Sequence, residues 1–312
     1  MKNIIEVSIN KYSLFQQLVY LTKLIRPHHW VKNSFLFIPI FFAGEFTNFN
    51  KLIDIAFGFV AFSFVASSIY IINDYNDIEA DRLHPEKKLR PLAAGIISKK
   101  FAIITFLFLI ISGFTLAFYL DEKFTFILGI YFILNIAYSF GLKNISILDT
   151  FLVSVGFVLR VKAGGAVADI YVTEWLIVMI FLLALFMAFG KRRDDILLKL
   201  SSGKDMRKAI KGYNLEFLTS AMTMILAISL VAYLMYMMSP ATEIKFGTHR
   251  LYYTFVFVLG GVLRYLQIIY LEQDSGSPTK ILYKDWFIKL CIILWIISFA
   301  FLIYFPHFSI FQ

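Results

Sequence analysis

The densest run of oxygen-bearing side chains in this sequence is Asn73-Asp74-Tyr75-Asn76-Asp77-Ile78-Glu79-Ala80-Asp81, an N-D-x-x-D-x-x-x-D spacing. On a helix each residue advances about 100°. Asn73, Asp74, Asp77 and Asp81 then share one arc of about 100°, with Tyr70 on the same face a turn earlier and Glu79 pointing away. Three carboxylates and an amide crowded on one face repel one another unless a cation lies among them. Hard oxygen donors with few protein ligands suit Mg2+ bridged to phosphate oxygens. Asp74, Asp77 and Asp81 are therefore the candidate catalytic residues, and with Asn73 the candidate metal ligands. The alternative is a solvated acidic helix end. Because these acids directly continue an apolar helix of membrane length, a site is the better reading.

Basic residues follow the acids. Lys87 and Arg90 serve equally as phosphate-binding groups or as charges that set membrane orientation, and His84 is a candidate phosphate contact. A second basic segment, read as a loop from Gly190 to Gly212, opens with Lys191, Arg192, Arg193, Asp194 and Asp195. Lys191 and Arg192 could hold a diphosphate or a ribose phosphate, and Asp194 or Asp195 could complete a metal shell. Tyr138 and Lys143, at the end of another apolar segment, could contact phosphate or a ribose hydroxyl. Asp149, Gly156 and Arg160 form one helical stripe, which predicts that Arg160 faces the protein interior and has an acidic partner or an anionic ligand. Lys162 lies on the opposite face and Arg264 is a second buried cation. His28, His29 and His84 lack zinc-site pairing, and Cys291 sits in an apolar run where packing is its role.

The elements that position these residues are membrane helices. Of 312 residues 59% are hydrophobic and only 16% charged, with mean hydropathy +0.74, against about 25% charged residues in a soluble domain. Segments near the about 20 apolar residues needed to cross a bilayer recur nine times. They are Val31 to Phe46, Leu52 to Ile72, Phe101 to Leu120, Phe124 to Phe140, Ile147 to Ala168, Trp175 to Gly190, Phe217 to Met238, Tyr252 to Leu271 and Trp286 to Phe305. Pro39 should kink the first. A cytoplasmic amino terminus puts about 22 basic residues inside and about four outside, which the positive-inside rule favours clearly. The net charge of +9 is thus a topology signal, and no nucleic acid is expected. No cleavable signal peptide is expected either. Residues 1–30 read as a cytoplasmic amphipathic segment, and residues 1–312 as a single all-α integral membrane domain.

The aspartate spacing matches at every fixed position the motif that follows the second helix in the UbiA superfamily of membrane prenyltransferases, which this sequence resembles. Within it the chain is most similar to the decaprenyl-phosphate phosphoribosyltransferase branch. The similarity rests on the words Arg26-Pro27-His28-His29-Trp30-Val31-Lys32-Asn33, His84 to Pro91, Tyr138 to Lys143, and Leu159-Arg160 before Gly164-Gly165. It extends to Gly276-Ser277-Pro278 with Asp285. The segment Lys191 to Asp195 lacks the two aspartates spaced four apart that are usual in the superfamily, again like that branch. The resemblance implies a nine-helix UbiA-type bundle in a bacterial-type inner (cytoplasmic) membrane, its active site facing the cytoplasm. It implies Mg2+-dependent transfer of 5-phosphoribose from phosphoribosyl diphosphate to a polyprenyl phosphate. It adds Lys32 and Asn33 to the substrate-binding set of Tyr70, His84, Lys87, Arg90, Tyr138, Lys143, Asp149, Arg160, Lys191 and Arg192, and favours Asp195 as the fifth metal ligand. Two other readings stand beside it: prenyl transfer from a prenyl diphosphate to an aromatic or glycerol-phosphate acceptor, and a cation-coupled transporter or lipid-binding protein. An oligomer is left open.

Overall fold

Apolar runs bounded by capping residues dictate the helices of this chain. In the computed structural model, which describes residues 14–83, 87–202, 210, 212–272, 281 and 284–304, every regular element among those residues is helical. In chain order the α-helices and the longest 3-10 helix begin with α1 (Leu14–Ile25), the 3-10 helix (Pro27–Phe37), α2 (Ile38–Ala43), α3 (Phe49–Asn76), α4 (Ile78–Leu83) and α5 (Lys99–Leu120). There follow α6 (Glu122–Ser139), α7 (Leu148–Val167), α8 (Glu174–Ser202), α9 (Leu215–Met237), α10 (Pro240–Phe246), α11 (Phe255–Gln267) and α12 (Trp286–Tyr304). Asn48, Ser98, Asp121, Asn214 and Ser239 each accept a hydrogen bond from the backbone N–H three residues on, which starts α3, α5, α6, α9 and α10.

Seven helices among the described residues are long and apolar enough to cross a membrane: α3, α5, α7, α8, α9, the run Arg250–Leu271 that contains α11, and α12. Two expected spans take another form. Val31 to Phe46 is not one kinked α-helix. It is 3-10 helical through Phe37, and Pro39 then sits in the first turn of α2, where its missing N–H costs no hydrogen bond. The segment Phe124 to Phe140 is helical as α6, but at 18 residues with Glu122 and Lys123 at its start it falls outside those seven. The segment after Gly190, expected as a loop, continues α8 as far as Ser202.

The chain divides into two compact units. The first comprises residues 1–141 and 156–172. Its core is built on Leu36, Ile40, Ile55, Phe62, Phe124 and Leu128, all fully buried. The 3-10 helix runs antiparallel to α3, with polar pairs at successive turns: Trp30 Nε1 donates to Ser67 Oγ and Asn33 Nδ2 to Ser63 Oγ, each at 2.9 Å. Its other flank lies against α7, where a Cβ on Gly164 would stand 1.9 Å from the carbonyl oxygen of Leu36. Only a residue without a side chain fits there. Gly164→Ala is therefore expected to cost several times the effect of Ala163→Gly at the neighbouring buried position, read as loss of monodisperse protein after detergent extraction.

The second unit comprises residues 142–155 and 173–312. Its larger core gathers Phe186, Phe189, Leu218, Met222, Ile225 and Tyr265. Its smaller one is tied by a polar chain, in which Trp295 Nε1 donates to Tyr233 Oη at 2.7 Å and Tyr233 shares a hydrogen bond with Thr254 Oγ1 at 2.6 Å. Cys291 is buried against Gly260 and Gly261, the packing role its apolar run predicts.

Candidate active site

The acid face forms where α3 passes into α4. Asp77 closes α3, but the i to i−4 pattern runs through it: its N–H donates to Asn73 O at 3.0 Å, and Asp81 N–H donates to Asp77 O at 2.8 Å. Asp74 and Asp81, two turns apart, therefore differ by only about 20° around the axis. Both are buried, at 2% and 3% exposure, while Glu79 points outward and pairs with Arg82 at the surface. One guanidinium nitrogen joins the two buried acids: Arg90 Nη1 lies 3.1 Å from Asp74 Oδ1 and 2.7 Å from Asp81 Oδ2. A second arginine, Arg26, also pairs with Asp74. Arg26 Nη2 is 2.6 Å from each carboxylate oxygen, and its guanidinium lies 5.3 Å from the centre of the Tyr70 ring. His29 packs on that ring at 5.1 Å.

Deeper in the same unit Arg160, 6% exposed, is held by neutral groups. Nε donates to Asn33 Oδ1 at 2.9 Å, Nη1 to Gly156 O at 2.8 Å and Nη2 to Tyr131 Oη at 2.8 Å. The rings of Phe62, Tyr131 and Phe157 surround the guanidinium, with centroids at 5.4, 4.8 and 5.2 Å. Among the described residues no carboxylate pairs with it, so hydrogen bonds and ring faces supply what an acidic partner was expected to supply.

In the second unit Asp149, fully buried at the start of α7, accepts from Arg192 Nε at 2.6 Å, and Arg192 Nη1 also reaches Asp195 Oδ2 at 3.0 Å. Tyr213 donates to the other Asp149 oxygen at 2.7 Å while accepting from the backbone N–H of Ile147. That N–H belongs to a β-branched residue held at φ 70, a conformation such residues avoid unless the surroundings impose it. Burial, then the bond to Asp149, raises the Tyr213 hydroxyl above an ordinary phenol. A raised folded value means the stabilisation is complete below about pH 10, the unfolded value, and is lost as pH climbs past it. Tyr213→Phe is expected to lower the melting temperature by about 2 to 6 °C at pH 7, and that deficit should shrink above pH 10. Arg264 is also paired, with Asp285 Oδ2 at 2.9 Å. Among the described residues Nε and Nη1 of Arg193 are buried without hydrogen-bond partners, and nothing in the structure explains them.

Similarity to known proteins decides the lineage of this arrangement. The model of the UbiA prenyltransferase family matches residues 34–289. The chain belongs to the UbiA prenyltransferase family. Among curated relatives, a decaprenyl-phosphate phosphoribosyltransferase of Corynebacterium glutamicum is 32% identical, over 90% of this chain and 86% of its own. Another of that name, from Mycolicibacterium smegmatis, is 31% identical over 91% and 92%. A solved UbiA homolog from Archaeoglobus fulgidus bound to DMAPP and Mg2+ has a TM-score of 0.66 at 21% identity, covering 91% of this chain and 99% of its own. UbiA membership with seven apolar membrane-length helices makes this an integral, multi-pass membrane protein.

The acid face of this UbiA chain fits a magnesium ion. Cationic nitrogens already stand against the oxygens of Asp74 and Asp81, and one of them touches both acids. No group of three His, Cys, Asp or Glu able to hold a metal occurs among the described residues. Mg2+ does not need one, because it commonly takes one or two carboxylates and completes its shell with phosphate oxygens and water.

Asn73 and Asp77 are half-buried on the acid face, Lys87 and Lys143 half-buried in short 3-10 turns, and Tyr138 half-buried near the end of α6. Lys32 and Lys191 are exposed. Asn33 and Asp149 are buried, and each accepts a hydrogen bond from an arginine, Asn33 from Arg160 and Asp149 from Arg192. His84 lies outside the described residues, as does the Gly276-Ser277-Pro278 word. Arg26 is the residue that spacing arguments missed. Its partner is 48 positions away, and its trace in the sequence is its place at the head of the Arg26 to Asn33 word that carries the family resemblance.

Proposed function

We propose that this protein is a membrane phosphoribosyltransferase, moving the 5-phosphoribosyl group of phosphoribosyl diphosphate to a polyprenyl phosphate such as decaprenyl phosphate. A bond forms between the lipid phosphate oxygen and ribose C1 as the C1 bond to diphosphate breaks, and diphosphate leaves. The observation that carries this reading is the near full-length similarity, at 31% and 32% identity, to two decaprenyl-phosphate phosphoribosyltransferases.

The residues support it chemically. Asp74 and Asp81, with Asn73 and Asp77 on the same face, hold Mg2+, and Asp195 is the further ligand the resemblance favours. Bound there, the ion supplies neutralisation of the charge that develops on the leaving diphosphate. Arg90 and Lys87 contact phosphate oxygens, as do Lys32, Lys143, Lys191 and Arg192. Tyr70 and Tyr138 offer hydroxyls, Asp149 holds Arg192, and Asn33 holds Arg160. The acceptor is already an anion at neutral pH, so no protein base or nucleophile is needed. The arginines and lysines hold two anions together at a concentration that water would not allow.

The chain acts as one transferase domain over residues 1–312, with nine crossings, a cytoplasmic amino terminus and a site open to the cytoplasm. The 3-10 helix and α2 together rise about 31 Å and α6 about 27 Å, close to the about 30 Å of a bilayer core. Purified protein incubated with Mg2+, ribose-labelled phosphoribosyl diphosphate and decaprenyl phosphate should yield label extractable into organic solvent, and EDTA should abolish it. Failure to label any polyprenyl phosphate, with turnover of a prenyl diphosphate onto an aromatic or glycerol-phosphate acceptor, would overturn the reading.

A further inference from the structure

We propose that Arg26 is an exchange residue. It covers Asp74 and leaves that carboxylate for a phosphate oxygen when a diphosphate arrives with its metal ion. The inference rests on the metal-diphosphate part of the function proposed above, and not on which group is transferred.

Charge balance is the first argument. Two buried carboxylates, Asp74 and Asp81, are matched by two guanidinium groups, Arg26 and Arg90. A free divalent ion entering between these two acids meets a pair already balanced in charge, with both Asp74 oxygens and Asp81 Oδ2 engaged. A metal carried in by a diphosphate brings its own anions, which give a displaced arginine a new partner.

Geometry then selects which arginine moves. Arg90 is anchored by both acids, whereas among the described residues Arg26 pairs with Asp74 alone. Arg26 Nη2 stands 2.6 Å from each Asp74 oxygen, so a metal ion held by Asp74 would need lone pairs that this nitrogen occupies. Metal and guanidinium therefore compete for the same lone pairs. Asp74 is only 2% exposed, against 16% for the arginine side chain, so the arginine is the outward member of the pair.

Arg26 has φ 58 and ψ 58, a left-handed conformation that a non-glycine residue holds only when its surroundings impose it, and it lies between the end of α1 and the 3-10 helix. Its N–H donates to Thr22 O and its carbonyl accepts from His29 N–H, each at 2.9 Å, so the backbone is held at the end of α1 while the side chain turns. The Tyr70 ring, 5.3 Å from the guanidinium, is a face on which the cation stays seated as it turns. Arg26 is thus both a barrier to bare metal and a ligand for the diphosphate that accompanies it.

The test uses the full chain in detergent micelles, Mn2+ followed by its free-ion magnetic resonance signal, and inorganic pyrophosphate as the anion. Wild type should bind Mn2+ weakly alone and about tenfold or more tightly with pyrophosphate, within the usual range of coupling between two ligands. Arg26→Gln should bind Mn2+ alone about tenfold more tightly than wild type and lose most of the coupling. Arg26→Lys, which keeps the charge and serves if the glutamine variant does not fold, should retain part of it. Unchanged Mn2+ affinity in Arg26→Gln, with full coupling, would overturn the exchange. Absence of Mn2+ binding by wild type even with pyrophosphate would overturn the metal-diphosphate site and the exchange with it. If the coupling behaves as expected while ribose label never enters lipid, the exchange stands and the phosphoribosyl reading fails.

Discussion

Asp81→Asn is expected to lower transfer of labelled phosphoribose to lipid by about 10³-fold, while Glu79→Gln, two positions away, stays within about twofold of wild type. The contrast follows from helix geometry. Asp81 is buried on the line of Asp74 and shares Arg90 with it, whereas Glu79 faces outward with Arg82. The amide keeps the size of the side chain and one acceptor oxygen, and Arg90 keeps its bond to Asp74, so folding should survive. Only the negative charge is removed. An equal loss in both variants would mean that the helix end works through bulk acidity and not through a defined face. Initial rates at saturating Mg2+, alongside size-exclusion profiles of the three proteins, make the comparison.

Arg160 governs the second large effect. Arg160→Ala should lower the melting temperature of the purified protein by at least about 5 °C, because three buried acceptors lose their donor at about 1 to 3 kcal/mol each. Arg160→Lys should fall nearly as far. One ammonium cannot span Asn33, Gly156 and Tyr131 at once, nor present a planar face to three rings. Were Arg160 chiefly a ligand-binding cation, the lysine variant would melt like wild type and lose only activity. Thermal unfolding in detergent, with activity measured on the same preparations, separates the two outcomes.

The acid face was legible in the sequence because it is local. Asp74 and Asp81 are seven residues apart on a helix, and angular arithmetic is enough to align them. The buried stripe of Asp149, Gly156 and Arg160 was legible for the same reason. The partners were not. Arg26 reaches Asp74 across 48 residues and Arg160 reaches Asn33 across 127, and helical periodicity carries no information over such distances. Expecting an acid beside Arg160 followed from the cost of a charge in the membrane, but neutral acceptors and aromatic faces can meet that cost together. The extension of α8 beyond Gly190 was hidden by its composition. Lys191 to Asp195 looks like a loop by polarity, yet Arg192 and Asp195 pair one turn apart as helical neighbours do.

The most direct measurement is an electron cryomicroscopy map of the full chain with phosphoribosyl diphosphate and Mg2+ bound. The account predicts diphosphate density beside Asp74 and Asp81 with metal density between them, a ribose leading away from it, and the Arg26 guanidinium moved from carboxylate to phosphate. A map with the diphosphate elsewhere, and Arg26 and Arg90 still closed on Asp74, would contradict it.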